Sequence, residues 1–321
     1  MINAIVANAP GGPEVLEPTA VERPEAGPGQ LLVRVAATGV NFVETYQRQG
    51  LYNVPFPFTP GDEAAGKVEA LGEGVDGFSV GQHVATAEGR RAYAEYMIVD
   101  ADKALPVPEN LDLQTAAALP LQGMTAHYLV NSTFRVEPGQ TALVHAGAGG
   151  VGLLLIQMIK AKGARVITTV STDAKAELAA GAGADHVIRY SGFDHHVREL
   201  TGDSGVDVVY DGVGRDTFDG SLTCLRTRGS LVLFGAASGP VPPVDIQRLN
   251  AGGSLFLTRP TLKHYLLNPQ ERLWRSSEVF AAAAEGSLSV RIGATYPLES
   301  AAEAHRALEG RATTGKVLLV P

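Results

Sequence analysis

Cysteine is almost absent from this 321-residue chain: Cys224 is the only one. A single cysteine excludes an intramolecular disulfide framework and every cysteine-rich zinc knuckle. Positive charge is also scarce, with 26 Lys and Arg against 34 Asp and Glu, a net of -8. That balance leaves no electrostatic footprint for nucleic acid or an anionic membrane. Aromatic residues make up only 6% of the chain, too few for the stacking platforms that grip single-stranded RNA. No apolar run reaches the ~20 residues of a membrane span. The opening Met1-Ile2-Asn3-Ala4-Ile5-Val6 lacks a basic stretch and breaks at Pro10-Gly11-Gly12-Pro13, unlike a secretory signal, so a cytoplasmic protein is expected.

What is present is apolar residues at 45%, charged residues at 19% and 37 glycines, a globular composition rich in turns. The length suits about two domains. Residues 1–110 read as all-β, with strand-like Leu31–Val35 and Tyr93–Val99 separated by turn clusters such as Glu25–Gly29, which suggests a small barrel. Residues 112–131 are helix-forming with a break at Pro120. From Thr141 strands are expected at 141–146, 165–170, 185–189, 206–210, 229–234 and 254–258, with helices at 150–162, 173–180, 194–200 and 215–226. Strands joined by such crossovers spell a doubly wound parallel α/β sheet. Beyond residue 264 come helices at 270–285 and 299–310 and a strand at 316–320, which have no place in that sheet and are expected to return to the first domain.

Between the first of these strands and its helix lies Gly147-Ala148-Gly149-Gly150-Val151-Gly152, a G-x-G-x-x-G turn in strand–turn–helix context. Gly147 serves the tight turn, Gly149 lets backbone approach a pyrophosphate, and Gly152 permits close helix–sheet packing. The helix start at Gly150 and Val151 supplies N–H donors and a positive dipole end. An NAD site usually carries an acid at the tip of the next strand, ~20 residues on, for the ribose 2′-hydroxyl. Here the strand ends Thr168-Thr169-Val170-Ser171. Ser171 can hydrogen-bond a 2′-phosphate and Lys175 can neutralise it, so NADPH is expected. Asp173 lies between them and reads as a helix cap.

The segment Gly61-Asp62-Glu63-Ala64-Ala65-Gly66-Lys67-Val68-Glu69-Ala70-Leu71-Gly72-Glu73-Gly74-Val75 resembles the signature of the medium-chain dehydrogenase/reductase superfamily. Gly39–Tyr46, Leu121–Ala126, the glycine turn, Tyr210–Gly214 and Arg311–Lys316 extend the resemblance along nearly the whole chain, closest to the zinc-free quinone oxidoreductase (zeta-crystallin-like) branch. The resemblance implies a GroES-like β-barrel catalytic domain, 1–123 with 265–321, interrupted by a six-stranded Rossmann domain, 124–264, with the active site in the cleft between them. It implies a homodimer paired through the sheet edge at 254–258, an apolar segment that needs cover. It also implies cofactor contacts by Thr125, Tyr190, Phe234, Gly235 and Leu257. Asp211 and Ala236 join them because loops at the carboxyl ends of parallel strands line the crevice.

Zinc in that superfamily is held by a cysteine, the histidine of a Gly-His-Glu signature and a second cysteine. The matching positions here are Asn41, Asp62 and Leu121 or Gln122. The histidines, adjacent His195 and His196 included, lack the spacing or cysteine partners of a zinc site. Without a Lewis acid, alcohol oxidation is disfavoured. The expected acceptors are already electrophilic: quinones, or alkenes conjugated to a carbonyl. The oxyanion that forms needs only hydrogen-bond donors, for which Asn41, Tyr46 and Tyr52 are the candidates, the two tyrosines alternatively serving only as pocket walls. An NADPH-dependent quinone oxidoreductase is expected. An enone, alkenal or enoyl-thioester reductase is the alternative, and a crystallin-like structural or RNA-binding protein is disfavoured by charge. No G-x-S-x-G elbow supports a hydrolase.

Overall fold

The computed structural model describes residues 1–321, which divide into two compact units: Met1–Met124 with Leu267–Pro321, and Thr125–Leu266.

The central unit is a six-stranded parallel sheet. In spatial order its strands are His186–Arg189, Arg165–Val170, Thr141–Val144, Val206–Asp211, Leu225–Leu233 and Phe256–Thr258. Counted along the chain this is the 3-2-1-4-5-6 order of a doubly wound sheet, whose switch point lies between Thr141–Val144 and Val206–Asp211. The inner strands are apolar runs because both faces are covered: Leu143, Ile167, Val209 and Leu231 are all fully buried. Helix Gly150–Ala161 buries Leu153, Leu154, Leu155, Ile156 and Ile159.

Two expected elements shorten here for visible reasons. The first strand stops at Val144 because Ala146 takes a left-handed φ of 54°. The helix expected over 215–226 forms only over Phe218–Cys224, because the Asp211 carboxylate accepts the N–H groups of Val213 and Gly214 and the Thr217 hydroxyl, holding 211–217 as a loop.

The other unit is built around the eleven-residue strand Gln30–Val40. It pairs antiparallel with Lys316–Val320 at one end, Ala64–Leu71 along most of its length and Tyr96–Asp100 at the other end. His83–Thr86 and Leu105–Pro106 extend one side and Ile292–Pro297 the other, giving a seven-stranded sheet; Ile2–Ala7 and Leu16–Val21 form a separate hairpin. The tail therefore supplies two strands of the first unit's sheet. Helix Pro269–Ala284 joins the same unit through Arg272, which donates to the Glu88 carboxylate at 2.7 Å and to the Asp102 carbonyl at 3.1 Å.

The first 110 residues are not all strand. Helix Phe42–Arg48 follows the long strand directly, and the signal for it is Asn41-x-x-Glu44: the Asn41 N–H donates to Glu44 Oε2 at 2.8 Å, one half of a capping box. No helix in the chain is long and apolar enough to cross a membrane.

Candidate active site

In the first unit the candidate donors sit on or beside helix Phe42–Arg48. The Tyr46 and Tyr52 rings meet edge to face with centroids 5.6 Å apart, because the loop folds back so that both Leu51 and Tyr52 donate to the Tyr46 carbonyl. Tyr52 is half exposed.

Asn41 is placed differently. It is buried, and both ends of its amide are held: Oδ1 accepts from Lys316 Nζ at 2.6 Å and Nδ2 donates to Glu63 Oε2 at 2.9 Å. The second amide hydrogen faces the Gly39 carbonyl at 3.5 Å. Lys316 also pairs directly with Glu63, whose other oxygen accepts the Leu121 N–H at 2.7 Å. Lys316, Glu63 and Asn41 thus form a buried, mutually satisfied cluster, the condition under which burying an ammonium and a carboxylate is tolerable. Register places it: Val317 lies opposite Val40, which sets Lys316 beside Asn41.

Glu44 lies next to this cluster and is fully buried. Its Oε2 takes the Asn41 N–H, whereas its Oε1 has no hydrogen-bond partner. Burial, reinforced by the neighbouring Asp62 charge, pushes its pKa up to about 8, so it is a neutral acid at pH 7. Burial also raises the Asp62 carboxyl.

The far end of the helix is tied down by Arg48, which is fully buried. Its guanidinium donates to both Glu309 oxygens at 3.2 and 2.7 Å, to the Gly11 carbonyl at 3.1 Å and to His305 Nδ1 at 3.1 Å. Burial and the Arg48 charge push His305 down to about 3. The ring is neutral, Nδ1 accepts, and Nε2–H donates to the Tyr93 hydroxyl at 3.0 Å.

In the second unit the glycine turn forms as expected, for partly different reasons. None of its glycines has positive φ, so Gly147 is not required by turn conformation; a Cβ there would strike the Thr168 side chain. A Cβ on Gly152 would strike the Ala146 carbonyl and approach the Gly147 Cα at 3.0 Å. Gly149 caps the helix that begins Gly150-Val151. The Tyr190 hydroxyl accepts the Ala146 N–H at 3.1 Å, which holds the left-handed residue at the mouth of the turn.

Beneath the turn His145 is buried, and desolvation holds its pKa below the ordinary histidine value against the opposing pull of Asp211. Ser221 donates to Asp211 Oδ2 at 3.0 Å, so it must accept from His145 Nε2–H, leaving Nδ1 to accept from Thr169. This Thr169–His145–Ser221–Asp211 chain is a buried tie between the strands and helix Phe218–Cys224. Asp211, expected as a cofactor contact, spends both carboxylate oxygens on groups inside the protein and shapes the loop. That loop interlocks with Phe234-Gly235-Ala236: Phe234 N–H donates to the Asp211 carbonyl at 2.8 Å, and the Phe234 ring leaves no room for a Cβ on Gly212.

Ser171 is exposed at the tip of its strand. The cap of helix Asp173–Gly181 is Thr172, which accepts the Lys175 N–H at 3.3 Å; Asp173, expected to cap, instead pairs with Arg189. Thr125 is buried on helix Pro120–Tyr128, and Leu257 stands partly exposed on the edge strand opposite Leu231. No group of three or more His, Cys, Asp and Glu side chains gathers as a ligand set for a metal ion.

The 3-2-1-4-5-6 sheet and its glycine turn define a protein of the dinucleotide-binding class. Family models described as alcohol dehydrogenase GroES-like domain and zinc-binding dehydrogenase match residues 27–109 and 150–280. The chain belongs to the medium-chain dehydrogenase/reductase superfamily. Within it, the chain falls in the quinone oxidoreductase branch. It is 43% identical to a quinone oxidoreductase of Pseudomonas aeruginosa over the whole of both chains. It is 42% identical to a 2-haloacrylate reductase of Burkholderia, covering 100% of this chain and 99% of that one. The solved Escherichia coli quinone oxidoreductase complexed with NADPH superposes with a TM-score of 0.97 at 41% identity, over 99% of this chain and all of that one. The GroES-like fold of the first unit and the Rossmann fold of the second follow.

Proposed function

We propose that this protein is an NADPH-dependent quinone oxidoreductase in which Thr125–Leu266 binds the cofactor and the discontinuous unit supplies the groups that meet the acceptor. The observation that carries this reading is the similarity to quinone oxidoreductases over the full length of the chain.

The second unit fits NADPH on its own geometry. Gly147 and Gly152 let the turn pack directly against the Thr168 side chain and the Ala146 carbonyl, where a Cβ would collide. Gly149, Gly150 and Val151 present the start of a twelve-residue helix to the pyrophosphate. Ser171 and Lys175 would hold the 2′-phosphate, with Tyr190 beside them; Thr125, Phe234, Gly235, Ala236 and Leu257 would hold the nicotinamide end. When bound, NADPH supplies a hydride. The protein's task is then to receive the negative charge that appears on the acceptor oxygen. Tyr46 and Tyr52 donate their hydroxyls to that oxygen, and fixed donors of this kind stabilise charge without reorganising. Asn41, its amide held by Lys316 and Glu63 with the second hydrogen on the Gly39 carbonyl, would reach the acceptor by releasing that long contact. The product takes up a proton from solvent or from a tyrosine.

A second reading, reduction of alkenes conjugated to a carbonyl, is favoured by the 2-haloacrylate reductase, as similar to this chain as the quinone enzyme. We further propose a cytoplasmic homodimer paired through the edge strand Phe256–Thr258. A stopped-flow screen of NADPH oxidation over quinones, enones, alkenals and 2-haloacrylates tests the assignment: the highest kcat/KM is expected on a quinone. Turnover confined to conjugated alkenes would establish the second reading instead.

A further inference from the structure

Strand His186–Arg189 pairs parallel with Arg165–Val170 so that Arg189 lies opposite Val170, the residue immediately before Ser171. The Arg189 side chain then reaches over the next turn. Its Nη1 donates to the Thr172 carbonyl at 2.6 Å, and its Nη2 pairs with the Asp173 carboxylate. Arg189 is therefore fastened to the two residues that follow Ser171, on the turn whose helix carries Lys175.

Stability does not explain the arrangement. The Asp173 side chain is 98% exposed and that of Arg189 42%, and exposed ion pairs contribute little. Its meaning is electrostatic and local. A 2′-phosphate held by Ser171 and Lys175 is a dianion, and Asp173 stands on the same turn with a like charge. Unpaired, Asp173 would oppose the ligand. Paired with Arg189 it is neutralised, and the guanidinium, which has five N–H donors in a planar fork, retains donors for phosphate oxygens.

We propose that Arg189 is a third determinant of the preference for NADPH over NADH, acting with Ser171 and Lys175 by cancelling Asp173 and by donating to the 2′-phosphate. The proposal rests on the reading of the Ser171 turn as the 2′-phosphate site.

The test measures dissociation constants by fluorescence titration for NADPH and NADH, and by calorimetry for 2′,5′-ADP and 5′-AMP, which isolate the phosphate. Arg189→Ala is expected to weaken NADPH and 2′,5′-ADP about tenfold while NADH and 5′-AMP stay within about twofold, the loss of one charge-assisted contact. Arg189→Lys, which keeps the charge without the fork, should recover part of the loss and replaces the alanine variant as the measured protein if that variant melts early. Adding Asp173→Asn to Arg189→Ala should also recover part, since the like charge is gone. Unchanged selectivity in both Arg189 variants, with the wild type preferring NADPH, overturns the role of Arg189 alone. A wild-type protein that binds NADH as tightly as NADPH overturns the 2′-phosphate site and this inference with it.

Discussion

Glu44 is a side chain whose state is set by its surroundings: a buried carboxyl group with one oxygen unpartnered and its pKa near 8. In the unfolded chain it titrates near 4.5, so between pH 4.5 and 8 the folded protein holds a proton that the unfolded one has released. Stability therefore falls as pH rises through that window. His305 acts oppositely. Its pKa drops from 6.5 to about 3, so the unfolded state binds the extra proton below pH 6.5 and stability is lost as pH falls towards 3. The two slopes compete below pH 6.5, and above it Glu44 titrates without His305. Wild-type stability is expected to decline by about 2 kcal/mol between pH 6.5 and 8, and Glu44→Gln to flatten that decline. Urea denaturation at each pH measures it; equal slopes in both proteins would refute the neutral-acid assignment.

At the scale of elements, helix Phe42–Arg48 and the glycine turn are held by different physics. The helix is too short to persist alone and depends on its ends: Asn41 and Glu44 at one, the Arg48–Glu309 pair at the other. The turn depends on absent side chains. Gly152→Ala places a methyl against the Ala146 carbonyl and should destabilise by ~1–3 kcal/mol while weakening NADPH binding. Gly181→Ala, at the end of helix Asp173–Gly181 with open space around its Cβ position, should be neutral or stabilise by up to ~1 kcal/mol. Thermal melts and NADPH titrations of the pair separate steric necessity from helix propensity. The turn was readable because its requirement is local. The helix was signalled by Asn41-x-x-Glu44, but that pattern was hidden among strand-like neighbours.

At the scale of the molecule, the strand Phe256–Thr258 closes one edge of its sheet with Phe256 63% exposed. An open apolar edge is a site for strand pairing. Phe256→Lys should therefore convert the proposed dimer to a monomer, read as a halved mass in light scattering; a monomeric wild type would remove the dimer. Dialysis against EDTA should leave turnover unchanged, because no three His, Cys, Asp and Glu side chains gather as a ligand set for a metal ion. A loss of activity restored by zinc would contradict this.

Legible in the residues alone were the succession of six strands in the central unit, the dinucleotide turn, the strand tip without an acid and the poverty of metal ligands. Each of these is carried by residues close together in the chain, or by a residue type that is simply missing. Tertiary structure decided the state of the charged interior. Lys316 meets Asn41 and Glu63 across 275 and 253 residues, Arg48 meets Glu309 across 261, and Arg189 reaches the turn before Lys175 only through strand register. Whether Glu44 is an anion or a neutral acid follows from which side chains exclude water from it. Desolvation and long-range register are properties of the packed chain, and no local pattern of residues encodes them.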